Sequence, residues 1–250
     1  MGVYLAMTGA ELKHCSQLPQ KCAWMACHLS PGGNGLSYMP DAFPMQGLLC
    51  IDDSLLPDGH DPDRIAEQVR TLRERFSFDG IVLDFQRPFH RDLNILANKL
   101  QSALPCPVGI TPQYEKDWNG ALFLPPVPLN QAVADYLTPW KGRDLWLELS
   151  CERLCMALTT NGCVIQSTAD SLQEPIFREN TLHCHYNIRL AENVALFTLE
   201  RAQEDMAELI ADAMPYGVAK AIGLYQEFGS ICPLSHIQWD RPKYKEAGYE

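Results

Sequence analysis

Along most of the chain, apolar runs of strand length alternate with segments of helical period. Cys22 to Leu29 (CAWMACHL), Gly47 to Ile51 (GLLCI), Phe78 to Phe85 (FDGIVLDF), Pro107 to Thr111 (PVGIT), Ala121 to Leu124 (ALFL) and Asp144 to Leu149 (DLWLEL) read as strands. Thr181 to Ile188 (TLHCHYNI) and Ala221 to Phe228 (AIGLYQEF) extend the series, and Gly162 to Gln166 reads as a short strand or hairpin arm. Between them lie amphipathic stretches. Asp61 can cap a helix whose first position suits Pro62, and Ile65, Val69, Leu72 and Phe76 then share one face. Asp92 to Leu104 repeats the pattern with Leu93, Leu96, Ala97 and Leu100. Asn130 to Leu137 predicts a short helix, and Ala191 to Met214 a long one.

Strands alternating with helices imply βαβ units and a parallel sheet. About eight such units, with no glycine-rich phosphate loop, favour a closed barrel over an open doubly wound sheet. The expected fold is α/β: a single (β/α)8 TIM-type barrel over residues 1–250. It is expected to be irregular or to lack a closing helix, because a polar tail follows the last strand. No internal repeat or interdomain linker interrupts it.

Composition narrows the functional classes. The chain has 20 basic and 31 acidic residues, a formal net charge of −11, so it repels phosphate backbones and anionic membranes. Neither nucleic acid nor membrane is expected as a partner. No run approaches the roughly 20 apolar residues of a membrane span, and no basic segment precedes an apolar run near Met1. The ten cysteines include no CxxC pair, and Cys50, Cys106 and Cys163 sit in apolar runs. They are expected to be mostly buried, reduced thiols of a cytoplasmic protein.

The segment Phe78-Asp79-Gly80-Ile81-Val82-Leu83-Asp84-Phe85-Gln86 carries the most chemistry. Alternation puts Ile81, Leu83 and Phe85 on an apolar outer face and points Val82, Asp84 and Gln86 into the barrel. An inward carboxylate is costly unless it is paired or solvated, as it can be at the C-terminal rim. This strand resembles the signature of glycoside hydrolase family 18, the chitinase-like barrels, whose fourth strand reads D-G-x-D-x-D-x-E. Asp79, Gly80 and Asp84 match; Val82 replaces the middle Asp, and Gln86 replaces the proton-donating Glu. The resemblance implies a carbohydrate or other small polar ligand at the strand C-terminal face. Because an amide cannot act as a general acid, it also implies little or no chitinase activity.

Around this strand, Asp84 and Gln86 are the central candidates, with Asp79 supporting the local geometry. Tyr114 and Trp118 follow the PVGIT strand and are candidate sugar-stacking platforms. Asp52 and Asp53 end one strand, Glu148 lies late in another, and Glu227 ends the last, so all approach the same rim. If a glycosidase pair survives, it is Asp84 with Glu227 or Glu148. The less favoured alternative is a metal-dependent hydrolase using His183 and His185, whose i, i+2 spacing would place both imidazoles on one strand face. No metal or other cofactor is expected.

Overall fold

The structure, a computed structural model, describes residues 1–14, 21–30, 35–37, 47–55, 60–166, 172, 174–191 and 193–228. In chain order the elements are β1 (Gly2–Met7), α1 (Gly9–His14), β2 (Cys22–His28), β3 (Gly47–Asp52), α2 (Pro62–Arg75), β4 (Phe78–Asp84), α3 (Arg91–Ala103), β5 (Val108–Ile110), β6 (Ala121–Leu124), α4 (Val133–Leu137) and β7 (Leu145–Leu149). Five strands follow: β8 (Arg153–Thr159), β9 (Gly162–Gln166), β10 (Phe177–Glu179), β11 (Cys184–Ala191) and β12 (Val194–Glu200). The described chain then ends with α5 (Met206–Ala213), β13 (Val218–Leu224) and α6 (Tyr225–Phe228).

Eight parallel strands close into a TIM-type barrel in the order β1-β13-β7-β6-β5-β4-β3-β2. The barrel is irregular: β5 and β6 are joined through a single 3-10 turn, Pro112–Tyr114, and α6 has only four residues. Alternation sorts the β4 side chains as expected. Ile81, Leu83 and Phe85 join the layer between barrel and helices, while Val82 packs inside with Tyr4, Ala23, Leu48 and Phe123. The outer layer is closed by Ile65, Val69 and Leu72 of α2 and by Leu93, Leu96 and Leu100 of α3, all fully buried. Burial of each such side chain contributes about 1.5–3 kcal/mol. Asp61 caps α2, accepting from the Asp63 and Arg64 amides at 3.1 Å, with Pro62 at the first helical position.

Trp146 of β7 fills the barrel interior, with the Lys220 ammonium 4.1 Å from its ring centroid. Two glycines make room for it. A Cβ on Gly80 would lie 2.9 Å from the indole, and one on Gly109 would lie 2.6 Å from it. The glycine of the β4 motif therefore has a packing role independent of any ligand.

Several sequence expectations are corrected. Gly2–Met7 forms a barrel strand that the apolar pattern had not singled out. Thr181 to Ile188 does not enter the barrel. β11 belongs to a five-stranded antiparallel sheet, ordered β10-β11-β12-β8-β9, inserted between β7 and α5. The long helix expected over Ala191 to Met214 is instead β12 followed by α5. Val194-Ala-Leu-Phe-Thr-Leu is nearly continuously apolar and fits either period, and pairing with both β11 and β8 decides for strand.

The inserted sheet packs Cys184, Leu199, Leu154 and Tyr186 around Leu129 of the β6–α4 connection. Arg201, 1% exposed, ties the two parts together by donating to the carbonyls of Val127, Leu182 and His183. None of the eight described cysteines forms a disulfide. Five are buried, but Cys163, expected within an apolar core run, is exposed on the edge strand β9. No helix among the described residues is long and apolar enough to cross a membrane. The polar tail from residue 229 and residues 31–34 lie outside the described residues.

Candidate functional site

The C-terminal ends of the parallel strands bring together the polar groups of the barrel mouth. β3 and β4 are in register, with Asp52 opposite Asp84, and β2 is in register with β3, with His28 opposite Asp52. Beneath them the interior is apolar. A cavity of about 50 Å³ is lined by Ala6, Met25, Cys50, Val82, Phe123 and Ile222, with Asp84 and Glu148 as its two carboxyl groups.

Asp84 is partly buried at the end of β4. Burial raises its pKa, the charges of Asp52 and Asp53 raise it further, and a hydrogen bond from the Gln86 amide opposes them. Gln86 lies just past the strand end and is exposed. The segment carrying it is held firmly. Asp53, 1% exposed, accepts from the Gln86 amide nitrogen at 2.9 Å and from the Arg87 amide nitrogen at 3.2 Å. Thr111 Oγ1 donates to Phe85 O at 2.8 Å, and the Gln113 side chain donates to the same carbonyl. An exposed residue on such a braced turn has a defined position.

Glu148 is the most perturbed acid of the mouth. Burial, and then the charges of Asp84, Glu227 and Glu152, push its carboxyl up to about 7. Two clustered carboxyls that cannot both ionise freely separate into different protonation states. Glu227, in α6, contributes to that field, but its own oxygens are engaged: one accepts from Ser150 Oγ at 3.1 Å and the other from the Cys151 amide at 2.6 Å. It braces the turn that follows β7.

The other candidates go elsewhere. Asp79 lies at the opposite end of β4, roughly 16 Å below Asp84 at strand rise, where it accepts from Tyr4 OH at 3.3 Å. Tyr114 and Trp118 are not rim platforms, being 0% and 2% exposed. Tyr114 OH donates to the carbonyls of Arg87 and Pro88, supporting the Gln86 turn from behind. Trp118 Nε1 donates to Ala121 O at 2.8 Å. His183 and His185 do not share a strand face. His183 precedes β11 with φ of 48° and pairs with Asp212 at 2.9 Å, while His185 faces Asp205 at 3.5 Å. No group of three or more His, Cys, Asp or Glu residues suited to a metal ion occurs among the described residues.

The sequence had not singled out His28. Strict alternation from Ala23 and Met25 would turn it outward, but a register shift between Met25 and Cys27 returns it to the inward set. The signal available was its position at the end of an apolar run.

No family model matches this sequence, and no curated protein matches it. Solved structures do match the fold. The class V chitinase of Nicotiana tobaccum superposes with a TM-score of 0.61 at 9% identity, covering 88% of this chain and 92% of its own. A mutant of that chitinase in complex with NAG4 gives 0.60. The spore cortex-lytic enzyme SleL of Bacillus cereus gives 0.59 at 10% identity, over 94% of this chain and 72% of that one. A chitinase-like agglutinin of Robinia pseudoacacia gives 0.56 at 12% identity, over 88% and 93%. The chain shares the barrel fold of chitinase-like proteins, and in it the strand with Asp84 is the fourth of the barrel.

Proposed function

We propose that this protein binds a carbohydrate at the barrel mouth and has little or no chitinase activity. The observation that carries this reading is the braced Gln86 amide, donating to Asp84 at the end of the fourth strand. An amide there can bond a sugar hydroxyl or a glycosidic oxygen but has no proton to give at useful acidity. Val82 beside it offers no carboxylate to share charge with Asp84. The fold neighbours support a glycan as ligand, since they include a chitinase in complex with NAG4 and an agglutinin. The described cysteines, mostly buried and not disulfide-bonded, support a reducing compartment. The test is calorimetric titration with NAG4 beside a product assay on the same sugar. Weak binding without cleavage is expected. Robust cleavage that survives Gln86→Ala would overturn the reading.

A second reading is an active glycosidase in which Glu148 is the acid. It is favoured by one observation, a carboxyl that keeps its proton up to about pH 7 inside the mouth. Glu227 fits the acid role less well, because both of its oxygens are already bonded.

A further inference from the structure

The mouth holds a second chemical centre on β2 and β3. His28 Nδ1 lies 2.6 Å from Asp52 Oδ2, and the two residues are register partners on adjacent parallel strands. The other Asp52 oxygen accepts from the Ser54 amide at 3.0 Å and from its hydroxyl. The His28 backbone is equally constrained. Its carbonyl accepts from Ser37 N at 2.8 Å and Ser37 Oγ at 3.1 Å, and the next amide, Leu29 N, donates to Asp52 O at 2.9 Å. The imidazole is 39% exposed and Asp52 20% exposed, so the ring meets solvent while its carboxylate is sheltered. A carboxylate on Nδ1 fixes the tautomer that leaves Nε2 as a proton acceptor, and it stabilises the imidazolium formed when Nε2 takes a proton. A histidine that served only packing would need neither this carboxylate nor the serine bracing it.

We propose that His28, positioned by Asp52, is a general base that activates water against a glycoside bound at the mouth, with Glu148 as the opposing acid. This inference rests on the active-glycosidase reading and supplies a base for it in place of Asp84, whose Oδ1 accepts from the Gln86 amide and whose burial favours the neutral form. β2 and β7 are separated by β1 and β13 on one side and by β3 to β6 on the other, so the two groups stand on different arcs of the rim. In the reaction, the water oxygen bonds to the anomeric carbon as the bond to the leaving oxygen breaks. His28 Nε2 takes the water proton, and the Glu148 carboxyl gives its proton to the leaving oxygen. The imidazolium then releases a proton to solvent and Glu148 regains one, so one water is consumed and two hydroxyl ends form. The anomeric configuration inverts. No acetamido group takes part, so the substrate class is simple hexosides rather than N-acetylated sugars alone.

The test uses a panel of 4-nitrophenyl hexosides, whose leaving group departs without acid help, and NAG4 binding measured alongside. His28→Ala is expected to lower kcat/KM on the hydrolysed panel member by about 10²–10⁴-fold, with added imidazole restoring part of the rate. His28→Gln, which keeps the side-chain volume, should lose the same factor without the fold being at issue. Asp52→Asn should lower kcat with KM unchanged, and Asp52→Glu should recover part of it. Unaffected turnover in His28→Ala, or a product of retained configuration, would overturn the proposal. A wild-type protein that binds NAG4 but hydrolyses no panel member would overturn it together with the glycosidase reading, leaving the binding reading in place.

Discussion

Replacing Glu148 by Gln makes the protein more stable at alkaline pH. The wild-type carboxyl has its pKa raised from 4.5 to about 7, by burial first and then by Asp84, Glu227 and Glu152. A group whose folded-state pKa lies above its unfolded value is neutral in both states below the unfolded value. Its favourable contribution relative to the ionised form is then lost as pH rises through the folded value. Between about pH 4.5 and pH 7 the fold therefore loses, at about 1.4 kcal/mol per pH unit, about 3 kcal/mol. Glu148→Gln keeps the shape and never ionises, so it escapes this loss. The assay is thermal unfolding of both proteins from pH 4 to pH 8. The two should coincide near pH 4, and the variant should unfold about 6–12 °C higher at pH 8. A gap that does not grow with pH would show that Glu148 ionises freely and would remove the basis for calling it an acid.

Other outcomes follow from the same geometry. Arg201→Met leaves three carbonyls without their donor and should cost about 1–3 kcal/mol for each carbonyl left buried and unsatisfied, read as a lower urea midpoint; a total loss under about 1 kcal/mol would show that the inserted sheet is anchored by other contacts. Trp118→Ala should destabilise by about 3–5 kcal/mol while the folded protein keeps its NAG4 affinity, whereas a selective loss of affinity would reinstate it as a sugar platform. Gln86→Glu restores a carboxylic acid but should not give robust NAG4 cleavage, because Val82 supplies no carboxylate beside Asp84; fast release of reducing ends by this variant would refute that account. Asp84→Ala should weaken NAG4 binding in the same titration, and unchanged affinity would move the ligand away from the fourth strand.

The sequence by itself determined the barrel walls and one end of the site. The two-residue alternation of Ile81 to Gln86 fixes which side chains face the helices and which face the axis, because a strand offers only two faces. Asp61-Pro62 and the spacing of Ile65, Val69 and Leu72 fix α2 in the same local way. Tertiary structure decided what local periodicity leaves degenerate. Val194 to Leu199 suits helix or strand equally, and only pairing partners far along the chain make it β12. Tyr114 and Trp118 have the same composition signal whether they stack on a sugar or brace a turn, and their burial follows from how the loops after β4 and β5 close on each other. Glu148 reaches the rim by its own strand, but its raised pKa comes first from burial in the closed barrel and then from Asp84 and Glu227, residues distant in sequence that barrel closure sets near it. His28 became part of the mouth through a single irregularity in strand pairing, which inverts the side-chain parity set by every residue before it.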